Sequence, residues 1–186
     1  MLFLLASTTV IAVSQLGMGI LFGRLIRYTS RNPWIYWWIG FFVTSTLAML
    51  VSFFVPLNLI ILVFIGVLGI SGFPLWLNQY KVSLSEYQKS DLFVFCFISL
   101  LFLLGINCLF AYSGIIPHVN YDTDLYHAQT IRWLNEYGTV PGLGNLHSRL
   151  GFNSSWHTFA ALIDNGFWDN RSALFMPLFA WTGAFF

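Results

Sequence analysis

The fold is decided by two neighbouring polar stretches, Val-Asn-Tyr-Asp-Thr-Asp-Leu-Tyr-His (residues 119–127) and Val-Pro-Gly-Leu-Gly-Asn-Leu-His-Ser-Arg-Leu-Gly-Phe-Asn-Ser-Ser-Trp-His (residues 140–157). Both lie in residues 118–169, the polar segment of an otherwise apolar chain. This segment contains five of the seven acidic residues and all four histidines. Candidate chemistry is therefore concentrated here.

Outside this segment the composition is that of a membrane protein. The 186 residues are 58% hydrophobic and 8% charged, and the mean hydropathy is +0.74. A soluble domain carries roughly 25% charged residues, so this chain has too few charged side chains to cover a water-facing surface. The composition predicts an all-α integral membrane protein, and the absence of a basic run argues against nucleic acid as a partner.

Apolar runs predict about four full transmembrane helices and a truncated fifth. The runs cover residues 1–22, 33–55, 59–77, 92–112 and 173–186. The first four approach the ~20 residues that cross ~30 Å of hydrocarbon, whereas the last is shorter. We therefore expect the sequence to be the N-terminal part of a longer protein. We also expect Gly72 and Pro74 to weaken the end of the third helix, and residues 78–91 to form a polar loop.

Basic residues in the short loops predict the orientation. They are Arg24, Arg27 and Arg31 after the first run, and Lys81 and Lys89 after the third. The loop between the second and third runs contains no Lys or Arg. Because cytoplasmic loops are enriched in Lys and Arg, the long loop at 113–172 is predicted to lie on the outer face.

Within that loop, residues 122–137 predict an amphipathic helix lying on the membrane surface. At about 100° per residue, Tyr126, Trp133 and Tyr137 share one face, and Gly138 is expected to end the helix. A second short helix is predicted to begin after Asn153 or Ser154, either of which can cap it.

Two carboxylates, Asp122 and Asp124, follow the fourth run closely. Either could cap the surface helix, which is a frequent role for Asp, but one cap is sufficient. The second carboxylate could therefore act as a general base. Alternatively, the pair could bind a divalent cation through its oxygen atoms.

The histidines do not match a familiar zinc-binding spacing. His147 and Arg149 are more informative, because they lie in a glycine-containing loop on the predicted outer face. An imidazole and a fork-shaped guanidinium could bind a phosphate there. The alternative is that Arg149 is simply a solvated charge or a contact to a lipid headgroup.

The sequence from residue 92 onward resembles the GT-C glycosyltransferases, including bacterial multispanning members of that superfamily. The resemblance is carried by an apolar run, the motif Tyr-Asp-Thr-Asp-Leu-Tyr-His, a helix ending Glu-Tyr-Gly-Thr-Val-Pro, and a loop and helix that re-enter the membrane. It divides the chain into residues 1–91, of unknown role, and residues 92–186, which are GT-C-like.

The resemblance implies transfer of a sugar from a polyprenyl-phosphate donor to an acceptor on the outer face of a bacterial inner membrane, in the synthesis of cell-surface polysaccharide or in lipid modification. Asp122 matches the catalytic Asp of the family best and Asp124 second, although Thr123 departs from the usual acidic pair. The implied substrate-binding residues are Tyr126, His127, Asn145, His147 and Arg149. A divalent metal ion is a possible cofactor.

Two other classes of function are also compatible with the sequence. A polysaccharide polymerase or ligase also uses a large outer loop with Arg and His, but it needs no Asp at the end of a membrane helix. A non-enzymatic transporter or assembly subunit is the third possibility. Transporters place ionisable residues within their spans, whereas these apolar runs are nearly free of charge.

Overall fold

The computed structural model describes residues 2–30, 32–84, 122–151, 154–173, 175–176 and 179–180, with the backbone alone at 2–5, 79–84, 123–124 and 167. These residues form helices and turns, and no strand occurs among them. The helices are α1 (Leu2–Leu25), α2 (Pro33–Ser52), α3 (Leu59–Leu84), a π-helix (Thr123–His127), α4 (Ala128–Glu136), α5 (Leu143–Leu146), a 3-10 helix (Ser148–Gly151), α6 (Ser155–Ile163) and a second 3-10 helix (Gly166–Trp168).

Three of these helices, α1, α2 and α3, are long and apolar enough to cross a membrane. They correspond to the first three predicted spans. Pro33 occupies the first helical position of α2, and the Asn32 side chain accepts a hydrogen bond from the Trp34 N–H at 2.9 Å. The predicted end of α3 was too early, because the helix continues through Pro74 to Leu84. The first part of the predicted polar loop at 78–91 is therefore helical.

Glycines bring the three long helices into backbone contact. A methyl group added to Gly40 would overlap the carbonyl oxygen of Gln15, and one added to Gly72 would overlap that of Gly17. Between helices in lipid there is little hydrophobic driving force, so close van der Waals packing through small residues has to hold them together. The α1 helix therefore packs closely against both α2 and α3.

The aromatic residues at the start of α2 are typical of a membrane–water interface, where amphipathic rings are favoured, but two of them lie in the interior. Tyr36 and Trp37 are buried within the protein. The Tyr36 hydroxyl accepts a hydrogen bond from the Ser30 N–H at 2.9 Å, and the Trp37 ring lies 4.8 Å from that of Phe179. These two rings stabilise the protein interior, which the sequence pattern of an interfacial belt does not reveal.

The polar segment is hydrogen-bonded to the turn between α2 and α3. Leu57, in this turn, is fully buried, and its N–H donates to the Leu134 carbonyl at 3.0 Å. Its carbonyl accepts from the side-chain amides of Asn135 and Asn165 at 3.0 and 3.2 Å. The Thr139 N–H adds a 2.6 Å bond to the Ser52 carbonyl. The polar segment is thus held against the end of α2 and the turn that follows it.

The α4 helix packs side by side with α6, in the same direction. The His127 and His157 rings are 5.0 Å apart near the start of both helices, and the Asn135 side chain reaches the Ala161 carbonyl at 3.1 Å near their ends. The buried residues of α4 are Ile131 and Leu134, not the predicted aromatic face. The helix predicted to lie on the membrane surface packs against α6 and the turn after α2, and Tyr137 on its aromatic face is 61% exposed.

The α6 helix is the second predicted helix of the loop, and Ser154 is its cap, accepting from the Trp156 N–H at 3.3 Å. All of its residues from His157 to Ile163 are buried. The predicted fourth span, at 92–112, lies outside the described residues. The fifth run is described only in part, with helical residues at 173, 175–176 and 179–180.

The glycine contacts predict that two conservative substitutions have very different effects on the free energy of unfolding. Gly40→Ala places a methyl group against the Gln15 carbonyl oxygen, so α1 and α2 must separate. We expect a loss of about 1–3 kcal/mol in the free energy of unfolding, the usual cost of overpacking. Gly66→Ala is the matched control on α3, since nothing lies within 4 Å of its added methyl group. Thermal unfolding in detergent micelles measures both, and equal stability of the two variants would contradict this packing.

A second pair of glycines tests the docking of the polar segment. Gly138 ends α4 with φ +76°, and a methyl group there would lie 2.6 Å from the Ser52 carbonyl oxygen. Gly166 has φ +60° but no atom within 4 Å of its added methyl group. Gly166→Ala should therefore cost only the left-handed strain, about 1–2 kcal/mol, and Gly138→Ala should cost clearly more. Thermal unfolding and protease sensitivity of both variants check this, and a smaller loss for Gly138→Ala would refute the docking.

Candidate functional site

Five side chains from three separate parts of the polar segment form a continuous cluster. Arg149 Nη1 lies 3.3 Å from Asp122 Oδ1, and the guanidinium carbon lies 5.6 Å from the centre of the Tyr126 ring. The Tyr126 ring is 4.3 Å from that of His127, which in turn is 5.0 Å from that of His157. We call Asp122, Tyr126, His127, Arg149 and His157 the Arg149 cluster.

Local backbone structure positions the first members of the cluster. Residues Thr123–His127 form a π-helix, a wider turn that is rare and frequently found at functional sites. Tyr126 and His127 both belong to this turn, and Asp122 immediately precedes it. The widened turn is followed directly by α4, whose buried face holds the whole element in place against α6.

Arg149 is carried by the short 3-10 helix Ser148–Gly151. Its N–H donates to His147 Nδ1 at 3.3 Å, and the Leu150 N–H donates to the His147 carbonyl at 2.9 Å. Gly144 and Gly151 approach so closely that a methyl group on Gly144 would lie 3.3 Å from the Gly151 Cα. This compact turn directs the guanidinium towards Asp122.

The ion pair orients its two groups and adds little stability. The side chain of Arg149 is 41% exposed and that of Asp122 is 49% exposed. Pairs with this exposure contribute about 0–1 kcal/mol, because water screens them and ordering the side chains costs entropy. Both groups therefore remain accessible to a ligand.

His157 differs from the other histidines because it is buried, with 8% of its surface exposed. Burial, together with the nearby His127, lowers the pKa of His157 below its ordinary value of 6.5. The ring is therefore neutral at physiological pH, since desolvation disfavours the charged imidazolium. Its Nδ1 has no hydrogen-bond partner among the described residues.

A cavity of about 200 Å³ adjoins the cluster and has His157 in its wall. The rest of the wall comes from α4, from residues 138–140 and 142–144, from the end of the 3-10 helix and from Ser154. Thr130 and Trp133 are the polar and aromatic contributions of α4. His157 thus belongs both to the Arg149 cluster and to the cavity.

The part of the cluster on α6 lies beside α2, well before the end of that helix. Trp156 and Phe159, which flank His157 on α6, contact Phe41 with ring centres 6.3 and 4.9 Å apart. At ~1.5 Å per residue, Phe41 is about 16 Å along the helix from Ser52. His157 therefore lies alongside the α2 helix.

The structure brings together four of the seven predicted site residues, namely Asp122, Tyr126, His127 and Arg149. His147 is exposed and contacts the Arg149 backbone, while Asn145 is also exposed and is linked through its N–H to the Gly142 carbonyl. The side chain of Asp124 lies outside the described part. Among the described residues, no three His, Cys, Asp or Glu side chains converge as a metal site requires.

Sequence reasoning missed His157 because a single histidine in an apolar helix is usually a packed core residue. Its one distinguishing signal was its place in the first turn of Ser155–Ile163, beside a serine cap and shortly before the apolar stretch Phe159–Ile163. Thr130 was missed because its significance depends on the cavity, which has no sequence signature.

The architecture is that of an all-helical protein with three helices capable of spanning a membrane, against which a polar segment packs. A family model described as Domain of unknown function (DUF8201) matches residues 1–186, so the chain belongs to that family. No curated protein and no solved structure matches the chain significantly.

The lowered pKa of His157 predicts acid-sensitive stability. The unfolded chain binds a proton near pH 6.5 more readily than the folded protein does. The free energy of unfolding should therefore decrease as the pH falls below 6.5, by about 1.4 kcal/mol for each unit by which folding lowers the pKa.

Thermal unfolding in micelles between about pH 5 and 8 measures this dependence. In His157→Gln, which has no titrating ring, the acid-induced loss should be smaller than in the wild type. His147→Gln is the matched control, because His147 is exposed, and it should retain the wild-type profile. Identical profiles for His157→Gln and the wild type would refute the assignment.

Proposed function

We propose that this protein is a membrane glycosyltransferase that transfers a sugar from a polyprenyl-phosphate donor to an acceptor at the outer face of a bacterial inner membrane. The observation that carries the proposal is the Asp122–Arg149 pair, a carboxylate and a guanidinium 3.3 Å apart beside an uncharged cavity. Transfer from a phosphate leaving group needs a base for the acceptor and a positive charge for the departing phosphate.

The proposed roles follow from these groups. Asp122 accepts the proton of the acceptor hydroxyl, whose oxygen forms the new bond to the anomeric carbon of the sugar. The bond from that carbon to the phosphate oxygen breaks, and the phosphate leaves with the electron pair. Arg149 stabilises its negative charge through charge-assisted hydrogen bonds. His147 supports this step indirectly, by accepting a hydrogen bond from the Arg149 N–H.

The proposed orientation is supported by the position of the polar segment. The segment is fastened to the turn at Leu57, between α2 and α3, and this turn contains no Lys or Arg. Arg24 and Arg27 lie at the opposite end of the three-helix unit, after α1. Since basic loops favour the cytoplasm, we infer that the segment docks at the outer end.

One observation favours a second candidate function, a non-enzymatic transporter. His157 of the Arg149 cluster lies alongside α2 near the level of Phe41, and ionisable groups at membrane depth often mark a substrate path. The glycosyltransferase proposal accounts for more of the site, because it uses both the charged pair and the adjoining uncharged cavity. The two candidates differ in whether a covalent product forms.

Sugar transfer from radiolabelled polyprenyl-phosphate sugars tests the proposal, in membranes that contain the full chain. Asp122→Asn removes the base and should reduce transfer by at least about 100-fold. Arg149→Gln removes the charge opposite the phosphate and should also reduce transfer by roughly 100-fold or more. Both variants should reach wild-type levels in the membrane, since the half-exposed pair adds little stability.

Arg132→Gln is the matched control. Arg132 forms the other described ion pair, with Glu136 at 3.1 Å, and its side chain is 64% exposed on α4. Its loss should leave transfer unchanged. Full activity of Asp122→Asn at normal expression would disprove the role of the base. If the folded wild type transferred no sugar from any donor, the transporter and ligase functions would replace the proposal.

A further inference from the structure

A positively charged turn joins α1 to the start of α2, whereas the polar segment docks at the other end of α2. The turn carries Arg24 and Arg27, and Arg31 follows them in the sequence. Arg24 and Arg27 are exposed, and the two ion pairs among the described residues both lie in the polar segment. The first acidic residue in the sequence is Glu86. Within the described part of the chain, the charge of this turn is therefore not neutralised.

The backbone closes the carboxyl end of α1, so the arginine side chains are not needed as caps. The Tyr28 N–H donates to the Gly23 carbonyl at 2.8 Å. The Arg27 N–H donates to the Arg24 carbonyl at 3.1 Å. Together these bonds form a Schellman motif, which satisfies carbonyl groups that a helix end would otherwise leave unpaired. Both guanidinium groups are therefore available to an external partner.

Arg27 occupies the position in this motif at which glycine is usual. Its φ is +56°, in the left-handed region that is unfavourable for a residue with a Cβ atom. Residues held in such conformations cluster at functional sites, where the surrounding structure maintains them. Glycine would close the helix with less strain, so the backbone geometry does not account for an arginine here. A role for the guanidinium group does.

The turn is held in one shape by Tyr36 of α2. The Tyr36 side chain is buried, and its hydroxyl accepts a hydrogen bond from the Ser30 N–H at 2.9 Å. The same hydroxyl donates to the Tyr28 carbonyl at 3.4 Å. A turn that is already ordered can bind a partner without the entropy cost of ordering a loop.

Exposed apolar side chains lie next to the arginines in the turn. Leu25 and Ile26 are 77% and 53% exposed, at the end of a helix that is apolar enough to cross a membrane. Acyl chains can cover such side chains at a membrane boundary while long basic side chains extend into the headgroup layer. Guanidinium groups bind phosphate oxygens through charge-assisted hydrogen bonds. A phosphate that is attached to acyl chains therefore matches both parts of this surface.

We propose that the turn between α1 and α2 binds an anionic phospholipid, with the lipid phosphate at Arg24 and Arg27 and the acyl chains against Leu25 and Ile26. The carbonyl end of α1 carries a partial negative charge, so the phosphate is bound through the guanidinium groups and not by the helix end. The turn lies at the opposite end of α2 from the docked polar segment, and this lipid site is independent of the proposed sugar transfer.

Native mass spectrometry of the full chain, released from neutral detergent micelles, measures the binding of individual lipids. Phosphatidylglycerol is the anionic probe and phosphatidylcholine the zwitterionic one. We expect the first phosphatidylglycerol to bind more tightly than the first phosphatidylcholine. Arg27→Gly should weaken phosphatidylglycerol binding about fivefold, the effect of removing one arginine near an anionic lipid. Arg132→Gln is the matched control, because Arg132 is an exposed arginine of the polar segment, and it should bind as the wild type does.

Arg27→Gly also separates lipid binding from a structural role. Glycine adopts a φ of +56° without strain, so the melting temperature in lipid-free micelles should equal that of the wild type or rise. A lower melting temperature would assign Arg27 to the fold and overturn the inference. Equal binding of the two lipids, wild-type binding by Arg27→Gly, or an equal loss in Arg132→Gln would also overturn it. Displacement of the lipid by equimolar glycerol phosphate would reveal a site for free phosphate and reject the lipid.

Discussion

The backbone N–H and carbonyl of Leu57 join the turn between α2 and α3 to the polar segment. Its N–H and carbonyl are both bonded to the polar segment, and its side chain is completely buried. A buried backbone group without a partner costs about as much as a lost hydrogen bond. The turn and the segment therefore satisfy each other, and the position of every site residue depends on this mutual docking.

Asn135 extends the same constraint to α6. Its side-chain amide lies within 3.1 Å of the carbonyls of Leu57, Ala161 and Asp164. These carbonyls come from the turn after α2 and from the last turn of α6, where the helix leaves its own carbonyl groups unsatisfied. One amide thus fixes the angle between α4, α6 and the spanning helices. That angle brings His127 to His157 at the other end of α4 and α6.

In the resulting site, the charged side chains and the neutral histidine lie in different surroundings. Asp122 and Arg149 remain half exposed, where a charge is inexpensive to maintain. His157 is buried, and its lowered pKa keeps it neutral. A substrate with a charged and an uncharged part would match this division. The bonds that hold the site in place are distant from the groups proposed to act on substrate, so the chemistry can be altered by mutation without loss of the fold.

Much of the fold and part of the site could be predicted from sequence. The apolar runs at 1–22, 33–55 and 59–77 predicted three helices long enough to span a membrane. The same hydrophobic pattern could not show that Tyr36 and Trp37 face the interior, because aromatic rings suit both environments. Asp122 and Arg149 were predicted as site residues because charged side chains are rare in this chain, and Tyr126 and His127 were predicted from the family resemblance.

The sequence by itself determined the helical class, the first three apolar helices and local signals such as the Ser154 cap and the end of α4 at Gly138. These depend on the hydrophobicity and backbone preferences of residues that are close to one another in the sequence. Tertiary structure alone decided that Asp122 meets Arg149, that His157 joins them, and that Thr130 lines a cavity. These relations join residues distant in sequence, and the hydrogen bonds of Leu57 and Asn135 that create them have no local pattern.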